Sequence, residues 1–156
     1  MTRKKTIALV AHDNRKRDII EWVEFNHHIL EKYHLVCTGT TGRMIEEALH
    51  HKQGQRTSHI DITLLKSGPL GGDQQLGAMI AEGKIDLLIF LWDPMQSQPH
   101  DVDVKALLRI STLYNIPSAY NRSTADYLIS SPLLTSEDYV PCIKNYSEYL
   151  TRSVEL

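Results

Sequence analysis

Residues 85–91 read IDLLIFL, a run with one polar residue and no alternation of polar and apolar positions. A strand with one face in water alternates, whereas a short run that is apolar throughout suits a strand covered on both faces, as in a parallel sheet between helices. Thr6–Ala11, TIALVA, has the same character. HLVCT (34–38) and IDITLL (60–65) supply two further strands, and IPSAY (116–120) a short fifth. Helical periodicity lies between them: from a cap at Asp13 or Asn14 to Tyr33, with Ile19, Ile20, Val23, Ile29 and Leu30 on one face, then over 43–50, 74–82, 102–114 and 124–129. Strand and helix thus alternate five times. That order requires right-handed crossovers and predicts an α/β fold: a doubly wound, five-stranded parallel sheet with helices on both faces.

At 156 residues, 42% hydrophobic and 23% charged, the chain has the size and composition of one globular domain spanning 1–156. Its net charge of −2 comes from 17 basic and 19 acidic residues mixed along the sequence, which argues against nucleic acid as a partner. The apolar run behind the basic N-terminus is too short for a signal sequence or a membrane span, so no membrane partner and a cytoplasmic location are expected. Cys37 and Cys142 have no metal or redox spacing, and Cys37 falls in an apolar run that suits a buried thiol. HHKQGQRTSH, 50–59, reads as an exposed, mobile loop.

In a sheet of this kind ligands bind beyond the carboxyl ends of the strands. The residues there are AHD (11–13), TGTTG (38–42), SGPLGGD (67–73) and WDP (92–94), the last running on to QPHD (98–101). Thr38, Gly39, Thr40 and Thr41 put hydroxyls and a flexible backbone at the start of a helix, where free N–H groups and the helix dipole favour an anion. The motif reads either as a phosphate cradle or as a cap with a turn. Ser67 and Gly68 admit the same two readings. His12 leaves the first strand and Lys16 follows one helical turn later, where its charge can neutralise phosphate. Arg15 and Arg17 read as surface residues.

SGPLGGDQQ, 67–75, holds three glycines ahead of Asp73. An aspartate here can cap the helix, but a cap needs no such density of glycine, and a carboxylate within reach of a substrate is a good general base for a carbon acid. Asp93 closes the fourth strand, and His100 follows with Asp101 and Asp103. A histidine among carboxylates can polarise a carbonyl or relay protons. The histidines at 27, 28, 34, 50, 51 and 59 show no metal spacing and are assigned to surface and packing, so no metal is expected. No dinucleotide or Walker motif is present, and no cofactor is expected.

Taken in order at successive strand ends, VAHD, TGTTG, SGPLGGDQQ, IFLWDP and QPHDVDVKALLR resemble the methylglyoxal synthases, over about Thr6 to Ile129. The resemblance implies a flavodoxin-like sheet, a homohexamer, and conversion of dihydroxyacetone phosphate to methylglyoxal and inorganic phosphate without metal or cofactor, a glycolytic bypass. Phosphate would then be both product and possible inhibitor. By the same resemblance Asp73 would be the base that deprotonates the hydroxymethyl carbon, and His100 would sit at the carbonyl and hydroxyl oxygens. Asp93 and Asp103 would be supporting acids, and His12, Lys16, Thr38, Gly39, Thr40, Thr41, Ser67 and Gly68 would bind substrate. Three features depart from the pattern. The 50–59 loop is longer; Tyr120 replaces a small residue and would narrow the rim; Arg152 stands one residue out of register for an arginine that reaches a neighbouring subunit's phosphate. A metabolite-sensing domain like those fused to carbamoyl-phosphate synthetase is the alternative, although it would not need GGD or PHD. A triose-phosphate isomerase is a third reading, separated by the fate of the enediolate.

Overall fold

Each of the five apolar runs forms a strand of one parallel sheet in the computed structural model, which describes residues 3–53, 60–144 and 146–155. The strands are β1 (Thr6–Ala11), β2 (His34–Thr38), β3 (Ile62–Leu65), β4 (Leu87–Leu91) and β5 (Ser118–Ala119), in the order β3-β2-β1-β4-β5. The expected doubly wound architecture is the one found. Its strand order differs from flavodoxin's own 2-1-3-4-5 and sets the reversal of winding between β1 and β4. β1 and β4 are buried at every position, as their unbroken apolar character requires.

Asp86, the polar residue of IDLLIFL, lies just before β4. Its carboxylate accepts the Thr6 N–H at 2.8 Å and pairs with Arg3 at 2.7 Å, while its own N–H donates to the Thr6 carbonyl at 2.9 Å. The polar residue therefore starts the β1–β4 ladder instead of interrupting it. β3 begins at Ile62, later than expected, although the Asp61 carbonyl already accepts the Leu35 N–H at 2.8 Å; the Asp61 carboxylate pairs with Lys4 and His34 at 3.0 and 2.6 Å.

The helices are α1 (Lys16–Phe25), α2 (His27–Leu30), α3 (Gly39–Gln53), α4 (Gly72–Ala81), α5 (Asp101–Leu113) and α6 (Arg122–Ser130), with the short α7 (Pro132–Thr135) and α8 (Ser147–Leu150) after them. Alternate residues of each strand face opposite layers. Ile7, Leu9, Cys37 and Ile89 pack against Ile19, Trp22, Ile45 and Ile129 of α1, α3 and α6. Ala8, Val10, Val36, Leu88 and Phe90 pack against Leu76, Ile80, Val104 and Leu107 of α4 and α5. Each such side chain contributes about 1.5–3 kcal/mol on burial, and truncating Leu9 to alanine would cost about 2–5 kcal/mol.

The first helix does not run unbroken to Tyr33. The amide of buried Asn26 donates to the Trp22 carbonyl at 2.9 Å, taking up a backbone acceptor of the last turn, and the chain restarts as α2. Neither Asp13 nor Asn14 caps it: a 3-10 turn over Asp13–Arg15 precedes α1, with no side-chain cap bond. α3 extends through Gln53, so the first residues of the expected 50–59 loop are helical, and 54–59 lie outside the described residues.

Candidate active site

The C-terminal ends of β1 to β4 surround a cavity of about 180 Å³. It is lined by Ala11, His12, Asp13 and Lys16 from the end of β1, and by Thr38, Gly39, Thr40 and Thr41 from the end of β2. Ser67, Gly68 and Pro69 after β3, with Gln98 and His100 after β4, close the wall. All nine residues expected to bind substrate lie on this lining. The cavity is smaller than the roughly 300 Å³ at which drug-sized pockets begin, which suits a small metabolite.

α3 begins at Gly39, four residues earlier than the sequence suggests, so Thr38 ends β2 and GTTG (39–42) is the helix's first turn and not a loop before it. β-branched threonines hid this, because their helix propensity is low. The consequence is chemical: first-turn amides have no carbonyl behind them to bond, and they carry the positive end of the helix dipole. The Ala11 carbonyl holds the arrangement together by accepting from Thr41 Oγ1 at 3.2 Å and from Lys16 Nζ at 3.1 Å. Lys16 also pairs with Asp13 at 2.9 Å, and this partner holds the Asp13 carboxyl below its usual range.

The glycine-rich turn opens with a 3-10 segment, Gly68–Leu70. Gly71 follows at φ 104°, a left-handed conformation that favours glycine, and a Cβ on Gly72 would lie 1.9 Å from the Lys66 carbonyl oxygen. Gly71, not Asp73, occupies the cap position of α4, and it makes no side-chain cap bond. Asp73 instead projects inward from the first turn with 3% of its surface exposed, and neither carboxylate oxygen has a hydrogen-bond partner among the described residues. Burial pushes its carboxyl up, the His100 ring opposes that shift, and the like charge of Asp103 adds to it.

His100 Nε2 stands 3.5 Å from Asp73 Oδ2. Asp73 is not itself on the cavity wall; it lies behind Gly68 and beside His100, and a Cβ on Gly68 would come within 2.8 Å of His100 Nε2 and 3.3 Å of Asp73 Oδ2. His12 meets His100 edge to face, with ring centroids 5.5 Å apart, and its Nδ1 accepts the backbone N–H of Asp93 at 2.9 Å. Burial lowers the His12 pKa, with help from His100 and Lys16 and against Asp101 and Asp93.

The remaining acids stand off the cavity. The Asp93 carboxylate accepts from the Met95 N–H at 2.9 Å and from Asn14 Nδ2 at 2.8 Å, and these bonds, the Met95 one foremost, hold its carboxyl low. Asp103 Oδ1 accepts from Gln74 Nε2 at 3.2 Å, one residue along from Asp73. Tyr120 packs into the core with its hydroxyl 3.4 Å from Ser111 Oγ, so it does not narrow the rim. Arg152 lies over the Tyr149 ring at 3.6 Å and donates to its carbonyl.

Sequence reasoning passed over Gln98 and Pro69 as lining residues, and nothing in their type or spacing marks them. It also passed over the proximity of His27, His28 and Glu31, whose ligand-capable atoms lie within 4.8 Å of one another where α1 gives way to α2. Among the described residues no helix is long and apolar enough to cross a membrane.

Residues 18–120 match the MGS-like domain family. The methylglyoxal synthase of Maridesulfovibrio salexigens is 59% identical over 141 residues, 88% of this chain and 90% of that one. The methylglyoxal synthase of Oleidesulfovibrio alaskensis is 54% identical over 152 residues, 97% of each chain. The crystal structure of methylglyoxal synthase from Elizabethkingia anophelis NUHP1 superposes with a TM-score of 0.85 at 47% identity, covering 97% of this chain and 93% of that one.

Proposed function

This chain belongs to the methylglyoxal synthase family, and from that premise we propose that its cavity holds dihydroxyacetone phosphate with Asp73 as the base. The reaction is the conversion of dihydroxyacetone phosphate to methylglyoxal and inorganic phosphate, a carbon–oxygen lyase activity. One observation carries the assignment of the base: a buried carboxylate without hydrogen-bond partners among the described residues, 3.5 Å from a histidine on the cavity wall.

Asp73 takes a proton from the hydroxymethyl carbon. The C–H electron pair becomes the double bond of an enediolate, and the carbonyl oxygen takes up negative charge. Burial makes the carboxylate a stronger base than one in water, which brings it closer to the demand of a carbon acid. His100 donates to the oxygens on which charge develops, and Asp103 keeps the proton affinity of Asp73 high.

The enediolate then expels phosphate. The hydroxymethyl oxygen gives up its proton and becomes the aldehyde carbonyl, while the other enediolate oxygen takes a proton. The double bond shifts to the phosphate-bearing carbon, that carbon's C–O bond breaks with its electron pair leaving on the phosphate, and the resulting enol ketonises to methylglyoxal. Elimination needs that bond roughly perpendicular to the enediolate plane, so the phosphate subsite must set a torsion as well as supply charge. The start of α3, Lys16, Ser67 and Gly68 suit that task, because they line the cavity from behind three different strands and offer a helix N-terminus, a cation and a hydroxyl. An isomerase would hold the same bond in plane.

The test is to incubate the protein with dihydroxyacetone phosphate and assay inorganic phosphate, methylglyoxal and glyceraldehyde 3-phosphate separately. Equal amounts of phosphate and methylglyoxal are expected; glyceraldehyde 3-phosphate as the product would overturn the lyase assignment. A homohexamer and inhibition by phosphate belong to the same proposal. Phe25, Val102, Tyr127 and Leu150, each about 80% exposed in a single chain, are apolar surface available for subunit contacts. A solution mass of one 17.8 kDa chain would count against the assembly.

A further inference from the structure

The two cavity histidines are held differently. His100 Nδ1 has no hydrogen-bond partner among the described residues, whereas His12 Nδ1 accepts the Asp93 N–H at 2.9 Å. A ring nitrogen that accepts carries no proton, so neutral His12 has its hydrogen on Nε2, and a proton on Nδ1 would set two donors against each other. Nε2 is buried and has no hydrogen-bond partner among the described residues. The tautomer of His12 therefore depends on where the Asp93 peptide sits.

Two bonds hold that peptide through its own side chain. Met95 N–H to Asp93 Oδ1 is local to the turn, but Asn14 Nδ2 to Asp93 Oδ2, at 2.8 Å, crosses from the turn after β1 to the turn after β4. The same two strand ends are laced by His12 N–H to the Leu91 carbonyl at 3.1 Å, at the point where the sheet's winding reverses. We propose that Asn14 is a positioning residue: by gripping the Asp93 carboxylate it keeps the Asp93 N–H on His12 Nδ1, so that His12 offers an Nε2–H donor to a substrate oxygen.

The use of that donor rests on the proposed function, but its existence does not. The groups that bear on the charge of His12 are His100, Lys16, Asp13, Asp93 and Asp101, with the Phe90 ring against its other side. Burial, His100 and Lys16 favour the neutral ring. The Asp93 N–H adds a directional reason, and Asn14 controls it.

The test uses the full chain labelled with 15N-histidine, two-bond proton–nitrogen spectra across about pH 5 to 9, and His12→Gln to assign the His12 signals. The wild type should show His12 neutral with its proton on Nε2, titrating below an ordinary histidine. Asn14 is exposed, so Asn14→Ala removes the grip without opening a core cavity. In that variant the His12 titration should move up by roughly half a pH unit, the scale of one hydrogen bond, with Nδ1–H signal appearing. The acid limb of kcat/KM should move with it, lowering kcat/KM by up to about threefold on the acid side of the His12 titration and leaving the high-pH plateau close to wild type. Asn14→Gln, which keeps the amide donor, should restore both. Wild-type His12 protonated on Nδ1 at neutral pH, or spectra unchanged in Asn14→Ala, would overturn the inference. If the spectra shift as expected but no phosphate is released from dihydroxyacetone phosphate, the proposed function fails and the positioning role stands.

Discussion

Asp73 Oδ2 lies 3.5 Å from His100 Nε2, with 1% and 7% of the two side chains exposed. Such a contact between covered ionisable groups is expected where a proton must be taken from carbon and the resulting charge received nearby. Asp73→Asn keeps the shape and removes the proposed base. Turnover of dihydroxyacetone phosphate should fall by about 10² to 10⁴, while inorganic phosphate binds as before. Near-normal turnover in this variant would remove Asp73 from the mechanism.

Gly68 and Gly72 should fail in different ways. A methyl on Gly68 meets the end of the His100 side chain at 2.8 Å, which can swing aside, so Gly68→Ala should fold with little change in melting temperature and lose at least tenfold in kcat. A methyl on Gly72 meets the Lys66 carbonyl oxygen at 1.9 Å, and backbone cannot swing aside. Gly72→Ala should therefore cost about 3 kcal/mol or more, and urea unfolding would read it directly. Equal stability losses in the two variants would contradict this division.

The fold was legible because burial on both faces leaves an unbroken apolar run, and β1 and β4 carry that mark at nearly every position. The cavity was legible for a topological reason: once the strands were identified, their carboxyl ends had to converge, and the histidines, threonines and glycines there converge with them. What escaped depended on contacts between distant residues. Asn14 and Asp93 are 79 positions apart and nothing in either local sequence pairs them. The break at Asn26 required knowing that its amide turns back to Trp22, and the early start of α3 ran against the low helix propensity of its threonines. Asp93 reads in sequence as one more acid at the rim, whereas its side chain faces Asn14 and Met95 and its backbone faces His12.

Lys16 is largely covered, with 16% of its side chain exposed, and is braced by Asp13 and the Ala11 carbonyl. Lys16→Met removes the charge and keeps most of the length. The inhibition constant for inorganic phosphate should rise roughly ten- to a hundredfold, the worth of a hydrogen bond to a charged group. If phosphate inhibits the variant as well as the wild type, Lys16 does not meet the anion.

Cys37 has no exposed surface, and burial pushes its thiol far up, with Glu46 adding to the shift. Cys142 is exposed. A thiolate-specific reagent should modify one of the two cysteines in the native protein and both after unfolding in urea. Rapid modification of both under native conditions would mean that the layer beneath β2 is open.

The raised carboxyl of Asp73 also makes a thermodynamic prediction whose sign follows from linkage. The unfolded chain has the ordinary value of 3.8 and the folded chain a higher one, so the folded state binds this proton more readily. The stability contributed by protonated Asp73 is fully present below the unfolded value and is lost as pH rises through the folded one. Above that range the folded protein holds a buried carboxylate without hydrogen bonds among the described residues, which Asp73→Asn replaces with a neutral amide. The variant should therefore be the more stable protein near pH 8, by a few degrees in melting temperature, at about 2–4 °C per kcal/mol for a chain of this size. The gap should narrow as pH falls toward 4. Attraction to His100 works against this sign and burial works for it, with burial the larger. A wild type that melts above Asp73→Asn near pH 8 would reverse that ranking and make the Asp73–His100 pair a source of stability.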